Sequence, residues 1–128
     1  MEKIKELYVI LVDEPNALGQ LCEFIAKMNI NIETIAVFGD SAKLIVKDTE
    51  KTKNLLEKHG YTTEIREVLR VVLDNKPGEL AYVTTRIGHV GINIKYMYSE
   101  INARNKKVAV ILDVDDVDTT LSLFKQHE

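Results

Sequence analysis

"LRVVLDNKPGELAYVTTRIGHVGINI", residues 69–94, decides the fold because the chain contains it twice. Sixty-two positions earlier stands "LYVILVDEPNALGQLCEFIAKMNINI", residues 7–32, and nine aligned positions are identical, among them Pro15/Pro77, Leu18/Leu80 and Asn31/Asn93. The match resumes further on at an offset of 68, where "KLIVKDTEKTKNLLEKH" (43–59) lies over "ILDVDDVDTTLSLFKQH" (111–127), so the second copy carries six extra residues. Internal self-similarity marks repeated structural units. The chain therefore reads as two units of about sixty residues, although its 128 residues would suit one domain.

The periodicities give each unit its elements. Residues 4–12 alternate and then run apolar, which predicts a buried strand ended by Pro15. Leu18, Leu21, Cys22, Ile25 and Met28 recur at helical spacing, which predicts a helix over 17–28. "INIETIAVF" (30–38) predicts a strand, "GDS" (39–41) a turn, and 42–47 the returning strand. Residues 48–60 open on Asp48, a helix cap, and close on Gly60, a helix stop, and 61–68 predicts a fourth strand. The order β-α-β-β-α-β is the ferredoxin-like arrangement. The second unit repeats it with strand 69–74, helix 79–89, strands 92–100 and 106–114, and helix 117–126. Glu128 corresponds to Gly60, so the second unit lacks a counterpart of strand 61–68. Strand 69–74 would then present an open edge. Strand 61–68, or a strand of another subunit, is expected to complete it.

Bulk properties exclude several functions. The composition, 45% hydrophobic and 29% charged, is that of a globular protein. A net charge of −3 argues against nucleic acid, which calls for a basic face. Cys22 is the single cysteine, so no disulfide framework exists, which fits a reducing, cytoplasmic setting. The N-terminus lacks the pattern of a signal peptide, and no segment approaches the ~18 apolar residues of a membrane span.

The two strand-to-helix corners are the candidate sites. A helix N-terminus offers unpaired N–H groups and partial positive charge, which suit carboxylates and phosphates. At the second corner Pro77 fixes the chain direction and Gly78 permits close approach to the backbone. A ligand there would meet the amides of Glu79 and Leu80, the side chain of Asn75 and a nearby Asn93. That set suits a small zwitterion, with backbone donors for the carboxylate and side-chain carbonyls for the ammonium. The first corner offers Asp13, Asn16, Ala17, Leu18 and Asn31. The alternative is ordinary turn grammar, in which Pro-Gly starts a helix and Asn finishes a turn.

Other chemistry finds little support. His59, His89 and His127 have no metal-ligand spacing, and His59 and His127 mark equivalent helix ends. Cys22 falls on the apolar helix face. "DVDDVD" (113–118) fails the calcium-loop pattern, with Asp118 where Gly is needed and Phe124 at the twelfth position. No phosphate-binding glycine loop or nucleophile motif occurs. Tyr96 and Tyr98 suggest packing under the hairpin rather than base stacking.

Strand, "NKPGEL", helix, "GINI", hairpin and helix in a unit of this size resemble the ACT domain, an amino-acid-binding regulatory module. The whole chain resembles stand-alone tandem-ACT proteins. The resemblance implies an α+β fold of two tandem ferredoxin-like ACT domains, 1–68 and 69–128, with helices on one face of antiparallel sheets and the second lacking its last strand. It also implies side-by-side pairing, a homodimer, a free amino acid at the interface, no catalysis and no cofactor, and allosteric control of a metabolic enzyme partner. The residues it points to are Asn75, Gly78, Glu79, Leu80, Asn93 and Ile94, with Asn75 and Asn93 matching the asparagines of serine-sensing members. The first corner departs from the pattern: Asp13 replaces the loop asparagine and Asn16 replaces the glycine. Asn tolerates positive φ, so the turn is expected to survive. An aspartate would repel a carboxylate and attract an ammonium, so the second corner is the first place to expect a ligand. Asn31 could serve it from across an interface. The alternative function is a ligand-free assembly subunit of a metabolic enzyme.

Overall fold

The computed structural model describes residues 1–101 and 106–125. Its elements follow in the order β1 (Glu2–Ile10), α1 (Ala17–Lys27), β2 (Thr34–Phe38), β3 (Ser41–Ile45), α2 (Thr49–Lys58), β4 (Thr63–Asp74), α3 (Glu79–His89), β5 (Ile94–Ile101), β6 (Lys107–Val114) and α4 (Val117–Lys125). All ten match expected elements in type, and α3 matches residue for residue. One difference alters the topology: the strands expected at 61–68 and 69–74 are a single strand, β4.

The chain divides into two compact units, one of Lys5–Arg66 and one of Met1–Ile4 together with the described residues from Glu67 onward. The boundary expected at 68/69 falls inside β4. In the first unit the strand order is β2-β3-β1-β4. Its core is a single cluster of Leu7, Val9 and Leu11 after and within β1, Ala42, Leu44 and Val46 along β3, Leu21 and Ile25 from α1, and Leu56 from α2. One shared cluster places both helices on the same sheet face, as the alternation of β1 dictates. The expected caps form: the Asp48 carboxylate accepts from the Lys51 N–H at 3.1 Å. Gly60 takes φ 95° just beyond α2, and Tyr61 N–H returns to Leu56 O at 3.0 Å, closing the helix in a glycine-stopped turn. On the opposite face Lys43 is buried with its ammonium 5.2 Å from the Tyr8 ring centre, and the Arg66 guanidinium stacks 4.0 Å over the same ring.

The second unit repeats this layout with the order β1-β4-β6-β5. Leu69, Val71, Val83, Ile87, Val110, Leu112, Val114 and Phe124 form its core, with Met1 packed against it. Residues Met1–Ile4 occupy the position of the missing last strand. Glu2 pairs with Arg70 at 3.6 Å, and Lys3 pairs with Glu67 at 3.5 Å and with Asp118 of α4 at 3.2 Å. This corrects the expectation for the open edge. Strand 61–68 cannot cover 69–74, because the two are collinear parts of β4, and no second subunit is required. The start of β1 fills the edge instead, and Asp118 holds Lys3 above its usual pKa, chiefly by its hydrogen bond and then by its charge.

No helix among the described residues is long and apolar enough to cross a membrane.

Candidate functional site

The two corners fold into the same turn from different residues. At the first, Glu14 N–H donates to Val12 O (2.9 Å), Ala17 N–H to Glu14 O (3.3 Å) and Gln20 N–H to Asn16 O (2.9 Å). At the second, Lys76 N–H donates to Asp74 O (2.9 Å), Glu79 N–H to Lys76 O (3.5 Å) and Tyr82 N–H to Gly78 O (3.0 Å). The residue before each helix is left-handed: Asn16 at φ 70° and Gly78 at φ 93°. Asn16 therefore does the work of a glycine, as its tolerance of positive φ allows. Its side chain caps nothing and reaches over the first helical turn, where a Cβ on Gly19 would lie 2.8 Å from Asn16 Oδ1. A glycine at position 19 makes that room. Between the claimed amides of Ala17 and Gln20, the N–H groups of Leu18 and Gly19 point out of the helix end.

The first corner borders a cavity of about 420 Å³, lined by Ile10, Leu11, Val12, Glu14, Pro15, Ala17, Gln20, Gly60, Tyr61 and Thr62. Its walls combine the aliphatic side chains of Ile10, Leu11, Val12 and Ala17 with Glu14, Gln20, Tyr61 and Thr62, and among the described residues no lysine, arginine or histidine lines it. β1 delivers one wall, the first turn of α1 a second, and the α2–β4 connection the third. Ile10 N–H donates to Thr62 O at 3.0 Å and ties that connection to β1. Tyr61 is fixed from behind by Phe24 and His59, whose rings stack at 3.9 Å, and burial, with Cys22 nearby, pushes its phenol above the usual pKa. Asp13 sits beside the hairpin turn, with Oδ2 4.0 Å from a Cβ built on Gly39.

The second corner is electrostatically different. Lys76 pairs with Glu79 at 3.4 Å, and Lys107 pairs with Asp74. The Lys107 hydrogen bond, and then its charge, holds the Asp74 carboxyl below its usual range and raises Lys107 in return. Asn75 and Gly78 are exposed, Leu80 is 41% exposed, and beyond its chain neighbours no described atom lies within 4 Å of a Cβ built on Gly78.

The structure does not bring the asparagines together within a unit. Asn75 N–H donates to Lys106 O at 2.7 Å, while Asn93 O accepts from Asp115 N–H at 3.1 Å. Those contacts mark opposite ends of β6, about 30 Å apart at ~3.3 Å per residue. Ile94, paired with Val114, packs into the core at the Asn93 end. The first unit behaves alike: Leu11 N–H meets Asp40 O at 2.7 Å at one end of β3, and Glu33 N–H meets Ile45 O at 2.9 Å at the other, where Asn31 lies. The expected nearness of Asn93 to Asn75 is thus corrected for a single unit. A strand, an antiparallel helix and a parallel strand necessarily put the two loops at opposite ends.

Glu14, Gln20, Gly60, Tyr61 and Thr62 escaped the sequence reading. The alignment of the two copies ends at His59 and His127, so the 60–62 connection had no second copy to draw attention to it. His127 lies outside the described residues. Asp116 of the acidic run caps α4, accepting from Thr119 N–H at 3.0 Å and from its hydroxyl at 2.7 Å. No group of three His, Cys, Asp or Glu that could hold a metal ion occurs among the described residues.

A family model described as an ACT domain pair matches residues 3–125. The chain is similar to a crystal structure of a protein from Bacteroides thetaiotaomicron, at 29% identity and a TM-score of 0.86, covering 97% of this chain and 88% of that one. It is also similar to the ligand-free regulatory subunit of aspartate kinase from Thermus thermophilus, at 16% identity and a TM-score of 0.65, covering 98% and 97%. The regulatory subunit from Thermus flavus gives 16% identity, a TM-score of 0.68, and coverage of 98% and 92%. At such identities the Thermus likenesses are likenesses of fold. No curated protein matches the chain in sequence.

Proposed function

The chain belongs to the ACT domain pair family, and from that premise we propose that it is a non-catalytic regulatory protein that binds a free amino acid at an interface between ACT units and controls an enzyme of amino-acid metabolism through association. The observation that supports a ligand in this reading is the cavity of about 420 Å³ at the first corner, lined by residues of the first unit alone and open to completion by a neighbouring unit only as part of the proposal. Its polar requirements match an α-amino acid. With no cationic side chain in the lining among the described residues, a carboxylate would rest on backbone amides at the N-terminus of α1, where Leu18 and Gly19 border the lining residues Ala17 and Gln20. Glu14 in the wall and Asp13 beside it favour an ammonium group. The aliphatic walls of Ile10, Val12 and Ala17 accept a side chain. Asn75, Gly78, Glu79 and Leu80 form the corresponding corner of the second unit. Asn31 and Asn93, at the far ends of their own units, would complete a site only from a neighbouring unit. The similarity over nearly the full length of a Thermus regulatory subunit supports a regulatory role without catalysis.

A thermal-shift screen against the twenty amino acids at millimolar concentration tests the proposal. A ligand at one hundred times its Kd stabilises by about 2.7 kcal/mol, which is an easily read shift. Asn75→Ala and Asn93→Ala should weaken binding if the second corner is occupied, and Glu14→Gln if the first is. Absence of any shift would overturn the proposal in favour of a ligand-free assembly subunit. At the second corner the Lys76–Glu79 and Lys107–Asp74 ion pairs occupy the charged side chains with one another, which favours that second reading there.

A further inference from the structure

At one end of the first unit's sheet, the face turned away from the helices is apolar and bare. The register sets Ile10 of β1 and Phe38 of β2 on either side of Ser41 of β3. Strand alternation turns all three away from the core residues Val9 and Ala42. Ile10 is 51% and Phe38 57% exposed, and Val12, two residues past Ile10, is 62% exposed. The rim of this patch is acidic. Asp40 O holds the Leu11 N–H at 2.7 Å, which brings the hairpin turn and the first corner to the same end of the sheet. Asp13 Oδ2 lies 4.0 Å from a Cβ built on Gly39. None of Asp13, Glu14 and Asp40 makes an ion pair among the described residues. Residues 10–17 and 36–42 contain no lysine or arginine. Lys43 and Arg66, on the same face, are already engaged. The buried Lys43 holds its ammonium 5.2 Å from the ring centres of Phe38 and Tyr8, and Arg66 stacks on Tyr8.

The repeat supplies an internal control. In the second unit Ala109 stands where the first has Ser41, with Val72 and Glu100 paired to it on either side. The same fold therefore carries a glutamate where the first unit carries Phe38, so the fold does not require the bare ring. An exposed phenylalanine on an edge strand invites association, and its acidic rim says with what. We propose that this patch docks a segment of another protein in which lysine or arginine residues flank large apolar side chains. The apolar side chains would cover Ile10, Val12 and Phe38, and the basic ones would meet the three acids. A second copy offering the same patch is disfavoured, because acids would face acids. The contact gives control by association a surface. It rests on that part of the proposed function alone and needs no amino acid in the cavity.

Fluorescence anisotropy with the full chain, in buffer free of amino acids, tests it. The probes are a labelled peptide that alternates lysine and leucine, and its glutamate–leucine counterpart. The lysine peptide should bind saturably and more weakly as salt is raised, and the glutamate peptide should not bind. Phe38→Ser should weaken binding about tenfold, as should Asp13→Asn combined with Asp40→Asn. Glu23→Gln with Glu33→Gln removes the same charge from exposed acids elsewhere in the unit, and should leave the affinity within about twofold. Circular dichroism confirms that the variants keep the fold. Absence of binding, or binding that survives Phe38→Ser, would overturn the proposal. So would an equal loss in the Glu23 and Glu33 variant, which would reduce the effect to net charge. Sedimentation in which Phe38→Ser lowers the mass of the protein itself would assign the patch to a second copy and overturn it too. A thermal-shift screen without a hit would leave these outcomes unchanged, so the two readings fail separately.

Discussion

The first unit closes its sheet with the strand that follows its second helix, whereas the second closes its sheet with the chain's first four residues. Both units have the same helices, turns and core positions, yet their last strands come from opposite directions in the sequence. What an edge strand requires is a partner for its N–H and C=O groups. Connectivity is secondary: a strand of the right length serves wherever it enters the chain. The corners teach a parallel lesson. Asn16 and Gly78 build one turn geometry with two residue types, while the charges around that geometry diverge.

The sharpest test of the equivalence between units is a matched pair of core truncations. Ile25 and Ile87 are aligned and at most 1% exposed. Ile25→Ala and Ile87→Ala should each cost about 3 kcal/mol in denaturant unfolding, and a large inequality would show that one unit repacks more readily. Removal of Met1–Ile4 comes next. It strips the edge of β4 and the Met1 contact, with an expected loss of about 2–3 kcal/mol at ~1 kcal/mol per ladder hydrogen bond. Hydrogen exchange should quicken at 69–73 and stay slow at the β3 amides; unchanged protection at 69–73 would contradict the assignment of residues 1–4 to the second unit. At the corners, Gly78→Ala should cost about 1 kcal/mol, because a Cβ at φ 93° is strained even in open space. Asn16→Gly should be neutral or stabilising by a few tenths of a kcal/mol, and opposite signs for the two would confirm that they hold the same turn.

The smallest effect is on acid stability. Asp116 is held below its ordinary carboxyl value of 3.8 by the Thr119 hydroxyl and then its amide. Asp74 is depressed from the same value by Lys107. Glu57 is depressed from 4.5 chiefly by its hydrogen bonds from Lys53 and Thr63. A depressed carboxyl favours the folded state once it is ionised in both states. Its contribution is complete above the unfolded value and is lost as pH falls through the folded one. The thermal midpoint should therefore fall below about pH 4, and Asp116→Asn, which keeps a capping oxygen without the charge, should fall less steeply.

Most of the fold was legible because the repeat reports on itself: nine identities at an offset of 62 and a second match at 68 assign every element but the strand after the second helix twice. The edge of the second unit was not legible. "EKIKELYVI" looks like one strand, and nothing in its alternation says that its first residues serve a different core from Leu7 and Val9. The continuity of β4 was equally hidden, since two strands were expected to meet at 68/69 where "EVLRVV" runs on as one strand. The corners were legible as turns, down to the left-handed asparagine. The cavity was not, because its third wall is the Gly60–Tyr61–Thr62 connection, which has no counterpart in the second copy. The distance between Asn75 and Asn93 was implicit in the β-α-β order, but sixteen residues of sequence after Pro77 suggest nearness that a helix turns into separation.

The central claim, that a corner of this ACT domain pair holds a free amino acid, is tested most directly by backbone amide chemical shifts during titration with the amino acid that gives the largest thermal shift. The account predicts saturable changes at Leu18, Gly19, Tyr61 and Thr62, with Glu79 and Leu80 responding only if the second corner also fills. Saturable binding that leaves all six of these amides unmoved would contradict it.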